Sequence, residues 1–140
     1  MVMLVFVAGV ADAVEGDPII VSETGDVFVE YLGSDAYFTN QLYLGDALSI
    51  IFNNKTSSPG DTFFLGSFMA GSELIFRLNT TVDEYEFDWY SGDADRNVDK
   101  TVHALVTIPR DDFKGRSFET YVGFEDVLYG GDFDYNDMRF

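Results

Sequence analysis

Short stretches of this chain place apolar residues at every second position, and Gly or Asp interrupts them about every ten residues. Val27, Val29 and Tyr31 alternate with Phe28, Glu30 and Leu32. Leu74, Phe76 and Leu78 alternate with Glu73, Ile75, Arg77 and Asn79, and Val102, Ala104, Val106 and Ile108 with His103, Leu105 and Thr107. Neighbours in an extended chain point to opposite faces, so each stretch has one side to bury. No long stretch keeps a helical period. Candidate strands fall at 3–9, 18–22, 26–32, 36–44, 47–53, 62–68, 72–79, 83–89, 101–108, 117–124 and 137–140. Strands this short and numerous predict an all-β fold, an antiparallel β-sandwich of jelly-roll type formed by 1–140 as a single domain. Ser57-Ser58-Pro59-Gly60-Asp61, Glu23-Thr24-Gly25-Asp26 and Ala70-Gly71-Ser72 supply turn chemistry between them.

Such a sandwich needs a core, and a composition of 46% apolar and 16% aromatic residues provides one. The formal charge of −17 therefore belongs to the surface of a folded protein. With 25 acidic residues against eight scattered basic ones, that surface repels nucleic acid and anionic membranes and attracts divalent cations. The absence of cysteine excludes disulfides, thiolate metal sites and a thiol nucleophile. Residues 2–10 are apolar and lead into Ala11-Asp12-Ala13, so 1–13 reads either as a signal-peptide remnant or as an edge or donor strand. The segment is too short to insert across a membrane.

Two segments gather oxygen-bearing side chains. At the C-terminal end, Asp132, Asp134 and Asn136 recur at every second residue, Asp137 follows, and Glu125 and Asp126 lie just upstream. Gly130-Gly131 gives the backbone freedom to coil this run around a point, and carboxylates so close repel one another unless a cation joins them. The second segment carries Asp93, Asp95, Asn97 and Asp99 at the same spacing. It opens like an EF-hand loop, but Val98 stands where that loop requires Gly, and Ala104 where it requires Glu. This leaves a looser calcium loop or a solvated turn. Hard oxygen donors favour calcium or magnesium, and irregular loops suit calcium. The expected calcium ligands are thus Glu125, Asp126, Asp132, Asp134, Asn136 and Asp137, with Asp93, Asp95, Asn97 and Asp99 as a second donor group.

Catalysis has little to build on. His103 is the single histidine, on a strand with Thr101 and Thr107, and reads as a satisfied structural residue. No G-x-S-x-G motif is present, and pairs such as Asp111-Asp112 or Glu84 and Glu86 are expected by chance in so acidic a chain. The chain is expected not to be an enzyme. Tyr85, Phe87 and Trp89 share one face of a strand, most simply as core, alternatively as a platform for sugar rings.

Gly123-Phe124-Glu125-Asp126 followed by Gly130-Gly131-Asp132-Phe133-Asp134-Tyr135-Asn136-Asp137 resembles the C-terminal signature of a bacterial family of secreted domains. These occur in calcium-rich adhesins of the RTX type and in exported proteins with a PEP-CTERM sorting tail. The likeness extends upstream through Phe38-Thr39-Asn40, Ser58-Pro59-Gly60-Asp61, Leu65-Gly66-Ser67-Phe68 and 70–76, and covers about residues 30–140. It implies a β-sandwich, export to the cell surface or beyond, and calcium bound by the acidic signature. Members usually continue into another strand, whereas this sequence stops at Phe140. The apolar N-terminus is expected to fill that edge, in its own sandwich or in the next copy of a homopolymer. Surface glycans are the other expected partner.

Overall fold

The alternation at 74–80 becomes the centre of the molecule: Leu74, Phe76, Leu78 and Thr80 are each buried to 2% exposure or less. The computed structural model describes residues 14–107 and 120–140. Among them the elements are β1 (Val14–Glu15), β2 (Gly25–Glu30), β3 (Thr39–Leu44), β4 (Phe52–Asn53), β5 (Thr62–Phe68), β6 (Phe76–Val82), β7 (Tyr85–Tyr90), β8 (Ala104–Thr107), β9 (Tyr121–Phe124) and β10 (Met138–Arg139). Every pairing is antiparallel. One sheet runs β4-β3-β6-β7, another β1-β8-β9-β10, and β2 and β5 form a two-stranded ribbon. The chain is an all-β sandwich, as the alternation predicts.

The two four-stranded sheets meet through large side chains. Phe76 and Phe140 lie 4.8 Å apart between ring centroids, and Trp89 stacks on His103 at 4.0 Å. Each fully buried side chain of this size contributes roughly 1.5–3 kcal/mol. In the ribbon, Val27 is buried while its neighbour Phe28 is half-exposed, so the predicted inside and outside of β2 hold.

Several boundaries differ from the expectation. Residues 18–22 form no strand, only a bridge from Ile20 to Glu73 with flanking backbone bonds such as Val21 N–H to Ser72 O at 2.8 Å. Of 47–53 only β4 is paired, because Gly45 turns the chain at φ 51° and Leu48 is left 93% exposed. The strands expected at 72–79 and 83–89 are β6 and β7, joined at Asp83, whose φ of 53° suits a two-residue hairpin loop. Near that tip Tyr85 is exposed and Phe87 only partly buried, whereas Trp89, deeper between the sheets, is sealed. The three aromatics are therefore neither one core face nor an open platform. The expected strand at 3–9, the alternatives for 1–13 and the pair Asp111-Asp112 lie outside the described residues.

β10 has neighbours on both sides. It pairs with β9, and its other edge meets Gly33, with Arg139 N–H donating to Gly33 O at 2.9 Å and Leu32 N–H to Arg139 O at 2.9 Å.

Candidate metal centre

β9 delivers the first acidic residues into the interior. Phe124, Glu125 and Asp126 are consecutive and all buried, which alternation alone does not allow. The strand ends at Phe124, and the chain then turns through a short 3-10 segment, Leu128–Gly130. Tyr129, Gly130, Gly131, Phe133 and Tyr135 all take positive φ, from 51° to 80°. Left-handed residues interleaved with the acidic ones curl a run that would otherwise be straight. Asp132 and Asp134 are thereby brought round onto Glu125, and ligand oxygens of the three carboxylates lie within 4.8 Å of one another. These three residues could hold a metal ion.

The neighbouring residues brace this arrangement. Tyr135 N–H donates to Glu125 Oε1 at 2.5 Å. Asn136 faces Asp134 through both its backbone N–H and its side-chain amide, and its carbonyl accepts Asp35 N–H at 3.0 Å. Gly123 makes the approach possible: a Cβ there would meet the Tyr135 carbonyl oxygen at 2.2 Å. The Tyr135 ring is buried, and its hydroxyl has no well-formed hydrogen bond among the described residues. The Glu15 carboxylate is close enough to add to the burial that raises its pKa.

Electrostatics follow the geometry. Burial pushes the Glu125 carboxyl up to about 7; the Tyr135 hydrogen bond opposes this, and the charges of Asp137, Asp132 and Asp134 add to it. Burial likewise raises Asp137, with the Asp126 charge adding to it. A divalent ion would relieve the repulsion that a proton otherwise relieves. Three carboxylates present hard oxygens, and calcium takes six to eight of them, leaving positions for backbone oxygens or water.

The remaining expected ligands are placed differently. Asp126 points between the sheets, where Oδ2 accepts the Asn40 side-chain amide at 2.7 Å while Asn40 Oδ1 accepts the Thr80 hydroxyl at 2.7 Å. Asp137 Oδ2 accepts Asp126 N–H at 2.9 Å. In the other acidic segment, Asp93 Oδ1 accepts Asp95 N–H at 2.8 Å and caps a short 3-10 turn, Ala94–Arg96. Exposed Asp95 lies 3.6 Å from Lys100. Asn97 is buried and wholly engaged: Oδ1 accepts Tyr90 N–H at 2.7 Å, and the amide donates to the carbonyls of Tyr90 and Thr101. Asp99 accepts Tyr129 N–H at 2.7 Å and Thr101 N–H at 3.0 Å, and lies 2.9 Å from His103 Nε2. Burial alone would raise the Asp99 carboxyl, but these bonds outweigh it and hold it below its ordinary value. His103 is buried and bonded, as expected of a structural histidine.

Asn40 and Thr80 escaped the sequence reading. The available signal was register: both are polar residues on the inward alternate of β3 and β6, beside Leu42 and Leu78. Among the described residues no helix is long and apolar enough to cross a membrane. No family model, curated protein or solved structure matches this chain.

Proposed function

We propose that this protein is a non-catalytic, calcium-binding β-sandwich module that acts outside the cell in a structural or adhesive role. The observation that carries the reading is the convergence of Glu125, Asp132 and Asp134, oxygens within 4.8 Å, on a loop curled by left-handed residues. The likeness of 123–137 to secreted calcium-rich domains supports it, as does a cysteine-free chain of charge −17. Calcium ties the two exposed carboxylates to the buried one, closing the loop on β9 as a disulfide would close it elsewhere. Adhesion to surface glycans and assembly with further copies are uses such a module can serve.

Thermal unfolding in calcium and in EDTA tests the reading. An ion at about a hundred times its Kd adds about 2.7 kcal/mol to stability. That corresponds to a rise of roughly 10 °C in Tm for a domain of this size. The double substitution Asp132→Asn with Asp134→Asn should abolish the rise. A wild-type melting curve indifferent to calcium would sink the proposal.

A further inference from the structure

Asp99 and His103 stand apart from the three converging carboxylates, yet they touch the loop that carries them at both ends of its first turn. Their side chains are enclosed, at 0% exposure for His103 and 1% for Asp99. His103 Nδ1 donates to the Glu125 carbonyl at 2.9 Å, and the Glu125 N–H donates back to the His103 carbonyl at 2.9 Å. The other ring nitrogen meets Asp99 Oδ2 at 2.9 Å, and that same oxygen accepts Tyr129 N–H at 2.7 Å. Asp99 is itself held by Thr101 N–H. The Trp89 indole lies flat on the imidazole, 4.0 Å away and tilted by 14°, so the ring cannot swing out of this relay.

The conformation of Tyr129 makes the relay matter. Its φ of 63° is uncommon for a large side chain and is strained unless its surroundings hold it. A charge-assisted bond from its N–H to a buried carboxylate is such a hold. If Tyr129 relaxed, the chain would leave Glu125 in another direction, and Asp132 and Asp134 would not return to it.

We infer that Asp99 and His103 are positioning residues of the calcium centre, setting its affinity without touching the ion. The inference rests on the calcium reading above. It gives the 93–99 segment a part in the site, as a strut on the loop's backbone. Partners that orient a metal site from behind typically change its affinity 10–100-fold when altered.

Calorimetric titration of calcium into chelator-stripped protein, well below the melting temperature, separates this from a purely structural role. Asp99→Asn keeps the shape but cannot accept from all its donors. His103→Gln can no longer bridge Glu125 and Asp99 as the flat ring does. Each variant should bind as many ions as wild type with a Kd weakened roughly 10–100-fold. A folded variant with wild-type Kd overturns the inference. So does an Asp99→Asn chain that folds yet loses an ion from its stoichiometry, since Asp99 would then be a ligand. Should neither variant fold, hydrogen exchange on wild type decides: calcium must slow the Tyr129 and Glu125 amides, and unchanged rates overturn the inference. A wild type that binds no calcium removes the calcium reading and this inference with it, whereas equal binding by wild type and variants removes this inference alone.

Discussion

The segments at 93–99 and 132–137 place oxygen-bearing side chains at the same every-second-residue spacing, and their surroundings decide what becomes of them. In the first, the oxygens turn to separate partners. Asp93 caps a turn, Asn97 fastens Tyr90 to Thr101, and Asp99 collects N–H groups from Tyr129 and Thr101. In the second, left-handed residues at Phe133 and Tyr135 curl the backbone and bring Asp132 and Asp134 round onto Glu125, while Tyr135 N–H reaches Glu125 and Asn136 reaches Asp134. A spacing of oxygens therefore does not make a metal site. What gathers the carboxylates here is the backbone that the left-handed residues curl.

The largest effect that would separate the two segments is expected from Asn97→Ala. It strips partners from the Tyr90 amide and from the carbonyls of Tyr90 and Thr101. With each buried unmet group costing about 1–3 kcal/mol, the loss should reach about 3–5 kcal/mol. Denaturant unfolding in EDTA measures it, and the stabilisation added by calcium should survive. If that increment vanished along with the stability, the segments would not be distinct in the way described.

Gly123→Ala should cost less and fall on the other segment. The new methyl group collides with the Tyr135 carbonyl, so the loop must lift from β9 at a cost of about 1–3 kcal/mol. Here the calcium increment should shrink with the stability. A variant that matches wild type in both would mean that the loop does not approach β9 this closely.

The pH dependence sharpens the contrast further, because the segments carry opposite signs. Folding raises the Glu125 carboxyl from 4.5 to about 7, so the folded state holds this proton more tightly than the unfolded chain does. Its contribution in calcium-free protein is complete below pH 4.5 and is lost as pH rises through about 7. Asp99 is lowered from 3.8, so its contribution is present above pH 3.8 and is lost as pH falls through its folded value. Unfolding free energies across this range in EDTA should decline towards neutrality. They should do so less in Asp132→Asn, where a neighbour raising Glu125 is gone. A calcium-free stability that climbs between pH 5 and 7 would contradict the burial of Glu125.

Much of the fold was legible because it rests on local alternation. The inward faces of 27–31 and 74–80 could be read from the sequence, and the turn at Ser58-Pro59-Gly60-Asp61 forms as its residues demand, with Gly60 at φ 97°. What could not be read depends on partners distant in the chain. Leu48 is as apolar as Leu42, yet among the described residues nothing folds over it and it remains exposed. Tyr85 and Trp89 share an alternation, but only Trp89 lies under the opposite sheet, against His103. The acidic signature was visible as a cluster. Its division was not: Asp126 turns away because Asn40, 86 residues earlier, supplies a donor between the sheets. Asp99 is engaged by an amide 30 residues later.

Trp89 is the single tryptophan of the chain, and it rests face to face on the single histidine. All the indole light the protein emits therefore comes from one sealed position, at the short wavelengths of a dry surrounding. A stacked imidazole gives the excited ring a route to lose its energy without emitting. Loosening His103 from the indole should brighten the emission, and admitting water should shift it to the red. The molecule thus carries an unlabelled optical gauge beside the loop it would be used to watch.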